Sequence, residues 1–145
     1  MASIDICICT FRRQSLADTL RSIALLETAG HVVRIVIADN DVVPSARPLV
    51  DELAAQLPFS VRYVHAPSAN ICIARNACLD AADADYVAFI DDDEVVTSGW
   101  LVALVSQAEH SGASAVLGPV RAIYADDAPV WMVRGDFHST LPVFV

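Results

Sequence analysis

Short apolar segments with the period of a β-strand alternate along this chain with segments that have the period of an α-helix. Strands that are apolar on both faces belong inside a parallel sheet whose faces are covered by the intervening helices. The pattern therefore predicts an α/β fold with a mostly parallel sheet flanked by helices. The predicted strands are 4–9, 34–38, 61–64, 86–90 and a fifth starting at 115, and the predicted helices are 16–28, 44–56, 71–82 and 100–110.

The ends of these segments carry further local signals. Ser15 and Asn70 stand where a side chain would cap the first and third helices. Residues 125–145 show no clear period and are predicted to be loop. We see neither a linker nor an internal repeat, so residues 1–145 are expected to form part of one domain.

An unbroken run of four acidic residues, 91–94, follows the fourth predicted strand. Adjacent like charges repel, so holding them together costs stability unless a cation or a donor-rich ligand compensates. Carboxylate oxygens suit Mg²⁺ or Mn²⁺, and Mg²⁺ uses only one or two of them when substrate phosphates complete its coordination. The run predicts a metal–diphosphate site, and the alternative on charge pattern alone is a solvated acidic turn.

Polar residues also follow the first two strands, at Thr10 and Asp39. Ligands of open parallel sheets bind beyond the carboxyl ends of the strands. We therefore expect Thr10, Asp39 and the acidic run to meet in one site.

The charge balance limits the possible partners. With 9 basic and 18 acidic side chains the net charge is −9, which argues against a nucleic-acid-binding protein. No apolar run approaches the roughly 18–20 residues that cross a bilayer, and residues 1–5 do not resemble a signal peptide, so we expect a cytoplasmic chain. The four cysteines lack the C-x-x-C spacing of common zinc sites and are expected to be reduced, buried thiols.

Four short motifs stand at the ends of the predicted elements, and a fifth lies in the fifth predicted strand. They are CTFRR (9–13), IADN (37–40), NICIARN (70–76), FIDDD (89–93) and, in the strand, GPVRA (118–122). In order and spacing they resemble the nucleotide-sugar-binding half of a family 2 glycosyltransferase with the Rossmann-like GT-A fold. Within that family, the chain is most similar to the succinoglycan-type exopolysaccharide glucosyltransferases of bacteria. The resemblance covers nearly the whole chain and implies that residues 1–145 are the donor-binding part of such a domain.

The resemblance implies how the nucleotide base would be held. Asp39 would accept the imide N–H of uracil, whereas the alternative is a turn-forming aspartate. Phe11 and Thr10 would form the floor beneath the base, although Phe11 is also a candidate core residue. Arg75, near the start of the third helix, would reach the base or the diphosphate, and Arg12 would contact a phosphate.

The acidic run matches the DXD motif of the family. By resemblance, Asp93 would bind Mn²⁺ or Mg²⁺ bridging the two phosphates, while Asp91 or Asp92 would contact the ribose hydroxyls or a metal-bound water. A cation is needed because the leaving nucleoside diphosphate gains negative charge.

The resemblance also implies a reaction. A parent enzyme would transfer glucose from UDP-glucose, with inversion, to a polyprenyl-linked oligosaccharide at the cytoplasmic face of the inner membrane, touching the membrane peripherally or through regions outside this chain. The general base would be a carboxylate beyond residue 145, and Asp136 is the one weak candidate within it. The apolar end, 141–145, leads us to expect a truncated chain that binds nucleotide without efficient turnover.

Three alternatives stay open at this point. A sugar-1-phosphate nucleotidylyltransferase would need a glycine-rich loop after the first strand, where residues 10–14 contain no glycine. A non-catalytic nucleotide- or metal-binding module would show affinity without turnover. A receiver-like domain would place an acid pair after the first strand, where this chain has Cys9 and Thr10.

Overall fold

The computed structural model describes residues 1–140. Within them the helices and strands are β1 (Ser3–Thr10), α1 (Leu16–Ile23), β2 (Val32–Asp39), α2 (Arg47–Ala54), β3 (Ser60–His65), α3 (Ile71–Ala81), β4 (Tyr86–Asp91), α4 (Trp100–Ser111) and α5 (Val130–Gly135). The chain divides into two compact units, Met1–Ala103 and Leu104–Val145, and the boundary falls inside α4.

The first unit contains a four-stranded parallel sheet in the order β3-β2-β1-β4. The two central strands are almost completely buried, which explains why most of their residues are apolar. In register, Thr10 lies opposite Asp39 and Cys9 lies opposite Asp91. The predicted parallel sheet flanked by helices is confirmed, and its strands bring the polar residues to one edge.

Helix α3 packs on one face of the sheet through small side chains. Its buried residues contact alternate residues of β1 and β2, and together these are Cys7, Cys9, Val36, Ala38, Ala74, Cys78 and Ala81. Hydrogen bonding to Cys7, together with burial, raises the pKa of Cys78 to about 12. Cys72 is exposed at the start of α3, so the expectation of four buried thiols holds for only three of them.

The capping predictions have different outcomes. The Asn70 side chain accepts a hydrogen bond from the backbone N–H of Cys72 at 2.9 Å, as expected of a helix cap. Ser15 makes no such side-chain bond, because its backbone already has helical torsion angles. Helix α1 also ends at Ile23, earlier than its periodicity predicted.

The predicted fifth strand is wrong. Among the described residues, the only β-pairing of the stretch 112–124 is an isolated antiparallel bridge from Val120 to Thr140. It lies next to Pro119, which has no N–H to donate to a ladder. The stretch predicted as loop contains the short helix α5. Among residues 1–140 no helix is both long and apolar enough to cross a bilayer. The apolar segment 141–145 lies outside the described residues.

A buried ion pair joins the strands at the opposite, amino edge of the sheet. Asp5 is only 1% exposed, and its carboxylate accepts two hydrogen bonds from Arg34 of β2, at 2.8 and 2.7 Å. The same carboxylate accepts the backbone N–H groups of Asp83 and Ala84, at 3.0 and 3.3 Å. Burial acts to raise the pKa of Asp5, but the Arg34 and backbone hydrogen bonds outweigh it and lower that pKa. One carboxylate therefore ties β1, β2 and the turn before β4 together.

Candidate functional site

The candidate site lies at the carboxyl edge of the sheet, entirely within the first unit. The loop after β1, the loop after β2, the start of α3 and the acidic run after β4 all begin at this edge. Because β2, β1 and β4 are parallel neighbours, their carboxyl ends, and the loops that follow them, lie at the same edge of the sheet.

The three aspartates of the acidic run have different environments. Asp92 is buried, and its Oδ2 accepts the Thr10 hydroxyl at 2.7 Å and the Phe11 backbone N–H at 3.4 Å. The side chains of Asp91 and Asp93 are 59% and 49% exposed. Asp92 therefore joins the β4 end to the β1 loop, while Asp91 and Asp93 are the carboxylates open to a ligand.

Burial of Asp92 gives it an unusual protonation behaviour. Burial raises its pKa, and the hydrogen bonds from Thr10 and Phe11 only partly offset this effect. A carboxyl group with a raised native pKa binds its proton more tightly in the folded chain than in the unfolded one. The ionised form therefore costs stability at neutral pH, and that cost disappears as the pH falls through the raised pKa.

Replacing Asp92 by asparagine is expected to raise the melting temperature at pH 7 by about 2 °C. The amide oxygen can accept the same bonds from Thr10 and Phe11, and no buried charge remains. Thermal unfolding at pH 7 and pH 4.5 measures this, and the gain should shrink at the lower pH. Asp80→Asn, at an exposed position of α3, is the control. A loss of several degrees at pH 7 would instead show that the charge of Asp92 is needed.

Two arginines lie beside the exposed carboxylates. Arg75 Nη2 is 3.4 Å from Asp91 Oδ1, and Arg13 Nη1 is 3.7 Å from Asp93 Oδ2. Both distances exceed those of strong charge-assisted hydrogen bonds, so the carboxylates and the guanidinium groups keep most of their capacity for other partners. Arg13 has a place at this site that the sequence interpretation did not give it.

Asp39 is completely enclosed. Its Oδ2 accepts the Tyr63 hydroxyl at 2.6 Å and the Ala46 backbone N–H at 2.8 Å, and its Oδ1 accepts the Asp41 backbone N–H at 3.1 Å. A carboxylate has about four acceptor positions, so about one stays free on Oδ1. Asp39 thus holds the β2–α2 loop, as the turn-forming alternative expected, and its role in base recognition stays a prediction.

The loop after β1 places Phe11 at the surface. The residue is 43% exposed, so it is not the core residue of the alternative interpretation. Its neighbour Arg12 makes two hydrogen bonds of 2.8 Å to the carboxylate of Asp41. Asp41 was missed as a site residue, and the signal that could have found it is the second acid of the Asp39-Asn40-Asp41 cluster.

The donor set at the end of β4 suits a divalent cation held by few protein ligands. No group of three or more His, Cys, Asp or Glu residues among those that the structure describes could hold a metal. Mg²⁺ and Mn²⁺ do not require one, because one or two carboxylates suffice when phosphates and waters fill the other positions. The exposed oxygens of Asp91 and Asp93 meet that requirement, whereas Asp92 is turned inward.

Comparisons with known proteins find a family model, a curated relative and solved structures that are similar to this chain. A family model described as "Glycosyl transferase family 2" matches residues 5–143. The chain is 54% identical over 142 residues to the succinoglycan biosynthesis protein ExoM of Rhizobium meliloti (strain 1021), covering 97% of this chain and 46% of that protein.

Solved structures of S. aureus TarS have a similar fold. The crystal structure of TarS 1-349 in complex with UDP aligns with a TM-score of 0.70 and 16% identity, covering 90% of this chain and 39% of that one. The complex of TarS 1-349 with UDP-GlcNAc gives 0.67 and 16%, covering 90% and 38%. This chain therefore spans less than half the length of each of these relatives.

Proposed function

This chain belongs to glycosyl transferase family 2 and has the GT-A fold, and we propose that it binds the UDP-sugar donor of an inverting glycosyltransferase. The donor we propose is UDP-glucose. The observation that carries the proposal is the meeting of two exposed carboxylates and two exposed arginines, Asp91 with Arg75 and Asp93 with Arg13, at the carboxyl edge. This edge offers both signs of charge to a metal–diphosphate, which itself carries both.

Asp93 is the proposed ligand of a Mn²⁺ or Mg²⁺ ion, with Asp91 beside it. When bound, the cation would supply a Lewis acid that neutralises negative charge developing on the leaving diphosphate. Arg75 and Arg13 would bind diphosphate oxygens, each released from a loose contact with an aspartate. Asp92 stays on the protein side of the site, where it holds Thr10 and Phe11 in position.

The proposed base pocket lies between the β1 and β2 loops. The exposed ring of Phe11 would stack on uracil. The remaining acceptor position of Asp39 would take the uracil imide N–H, which requires a small opening of the enclosed carboxylate. Thr10 supports this floor through Asp92. Arg12 lies beside Phe11 with its guanidinium bonded to Asp41, so its contact with a phosphate stays a prediction of the sequence alone.

We place the general base outside residues 1–145. Asp136 accepts hydrogen bonds from Ser139 Oγ at 2.7 Å and Tyr124 Oη at 3.0 Å. These bonds lower the pKa of Asp136, which makes it a poor acceptor for the proton of a sugar hydroxyl.

The acceptor we propose is a polyprenyl-linked oligosaccharide of bacterial exopolysaccharide synthesis, at the cytoplasmic face of the inner membrane. Similarity to a succinoglycan biosynthesis protein supports this choice. The match to one glycosyltransferase family leaves the nucleotidylyltransferase and non-catalytic alternatives without support.

Calorimetric titration of the 145-residue chain tests the proposal. With Mn²⁺ present, UDP and UDP-glucose are expected to bind several-fold more tightly than GDP. Asp39 has about one free acceptor position, which suits the single imide N–H of uracil, whereas guanine is a larger ring with two adjacent N–H donor groups. Excess EDTA should weaken the binding of both uridine nucleotides. Equal affinity for UDP and GDP, unchanged by EDTA, would rule out the proposed site.

A further inference from the structure

The backbone of Arg12 has a conformation that few side chains tolerate. Its φ is +56°, in the left-handed region that disfavours residues with a Cβ. Such strain persists only where the surrounding structure enforces it, and it is common at functional sites. Arg12 follows directly after Phe11, on the loop that the proposed function places beneath the base.

Asp41 is the partner of the Arg12 side chain in this conformation. Its Oδ2 accepts Arg12 Nε and its Oδ1 accepts Arg12 Nη2, both at 2.8 Å, in the two-pronged geometry that fixes a guanidinium plane. Asp41 is 1% exposed, whereas the Arg12 side chain is 62% exposed. The carboxylate is thus the anchored partner of the pair.

Asp41 is itself fixed from several sides. Its backbone N–H donates to Asp39 Oδ1 at 3.1 Å, and its backbone oxygen is 2.9 Å from His65 Nε2 at the end of β3. Its Oδ1 also accepts the Val42 backbone N–H at 2.7 Å. These contacts fix the position of Asp41 relative to β2 and β3, and Asp41 in turn fixes the position of the Arg12 guanidinium.

The held guanidinium in turn positions Phe11. Arg12 Cζ lies 5.1 Å from the centroid of the Phe11 ring, a cation–π distance, so one side of the ring is supported while the residue stays 43% exposed. The Phe11 backbone is held independently by Asp92. We propose that Asp41 is a positioning residue that acts through Arg12 to present the Phe11 ring to the nucleotide base. This inference rests on the proposed function.

The test compares two ligands that share a diphosphate but differ in having a base. In Mn²⁺, Asp41→Ala is expected to weaken UDP binding about five- to tenfold, a partial loss of base–aromatic stacking, and to change inorganic pyrophosphate binding less than twofold. Asp51→Ala is the matched control, because Asp51 forms an exposed pair with Arg47 on α2. It should change neither affinity.

A double-mutant cycle with Phe11→Ala separates positioning from general loosening. If Asp41 acts through the ring, Asp41→Ala should cause no further loss of UDP affinity in the Phe11→Ala background. Asp41→Asn keeps an acceptor for Arg12 and for Val42, so its UDP affinity should lie between those of the unmodified chain and Asp41→Ala. It replaces Asp41→Ala in the test if Asp41→Ala does not fold.

Distinct outcomes overturn the inference and the proposed function. Unchanged UDP affinity in Asp41→Ala, an equal loss for pyrophosphate, or additive losses in the double variant would each overturn the positioning role while UDP still binds to the unmodified chain. An unmodified chain that binds pyrophosphate but shows no preference for UDP would overturn the proposed function and, with it, this inference.

Discussion

Replacing Asp93 by alanine is expected to weaken Mn²⁺-dependent binding of UDP by at least about 10-fold, because loss of a group that only orients a metal ligand already costs about 10- to 100-fold. Asp93 is half exposed, and its nearest cation is Arg13 at 3.7 Å, so its oxygens are available to a metal ion. Without Asp93, the cation keeps only the diphosphate and the neighbouring Asp91. Calorimetric titration with UDP at fixed Mn²⁺ concentration measures the loss.

Two comparisons make the Asp93 result specific. In EDTA the unmodified chain and the Asp93→Ala chain should bind UDP equally weakly, because the metal ion that Asp93 would bind is then absent. Asp80→Ala removes an exposed carboxylate of α3 and should leave the affinity unchanged. UDP affinity that is the same with and without Asp93 in Mn²⁺ would remove the basis for a metal at this strand end.

Replacing Asp5 by alanine is expected to lower the free energy of unfolding by about 3 kcal/mol, the lower end of the range for breaking a buried ion pair. The lower end applies because the Arg34 side chain is 27% exposed and keeps its contact with Asp83. The substitution also leaves the backbone N–H groups of Asp83 and Ala84 without their acceptor. Urea unfolding followed by circular dichroism measures the change.

The pH dependence of unfolding gives an independent check on Asp5. Because its native pKa is lowered, ionised Asp5 stabilises the folded chain fully above the unfolded carboxyl pKa, and this contribution is lost as the pH falls. The Asp5→Ala chain should therefore lose less stability than the unmodified chain between pH 5 and pH 3. Asp51→Ala, which breaks an exposed pair, should cost at most about 1 kcal/mol. A comparable loss from both variants would contradict the assignment.

The period of the hydrophobic residues was enough to predict the parallel sheet and the helices α1 to α4. The signal is strong in β1 and β2 because both faces of these strands are buried, so that apolar residues occur on both faces. It failed after α4, where the apolar residues Ala115, Val116 and Leu117 have no strand to pair with among the described residues. Strand formation depends on a partner, and periodicity does not report one.

Position at the carboxyl edge could be predicted, but the direction of individual side chains could not. Asp91, Asp92 and Asp93 are residues of the same type, so the sequence does not distinguish them. Only Asp92 turns inward, where it contacts Thr10, a residue 82 positions away. Likewise, Asp41 follows Asp39 in an ordinary turn cluster, and its importance comes from a pairing with Arg12 across two loops. Such pairings depend on tertiary structure, which local patterns do not encode.

The unequal burial of the four thiols has a practical consequence for these measurements. Cys7, Cys9 and Cys78 are enclosed between α3 and the sheet, and hydrogen bonding and burial raise the pKa values of Cys9 and Cys78, which suppresses their reactive thiolate forms. Cys72 stands alone at the surface, one turn before Arg75. A maleimide fluorophore would therefore attach at this native position, where its emission would report nucleotide arriving at the start of the helix without any engineered cysteine.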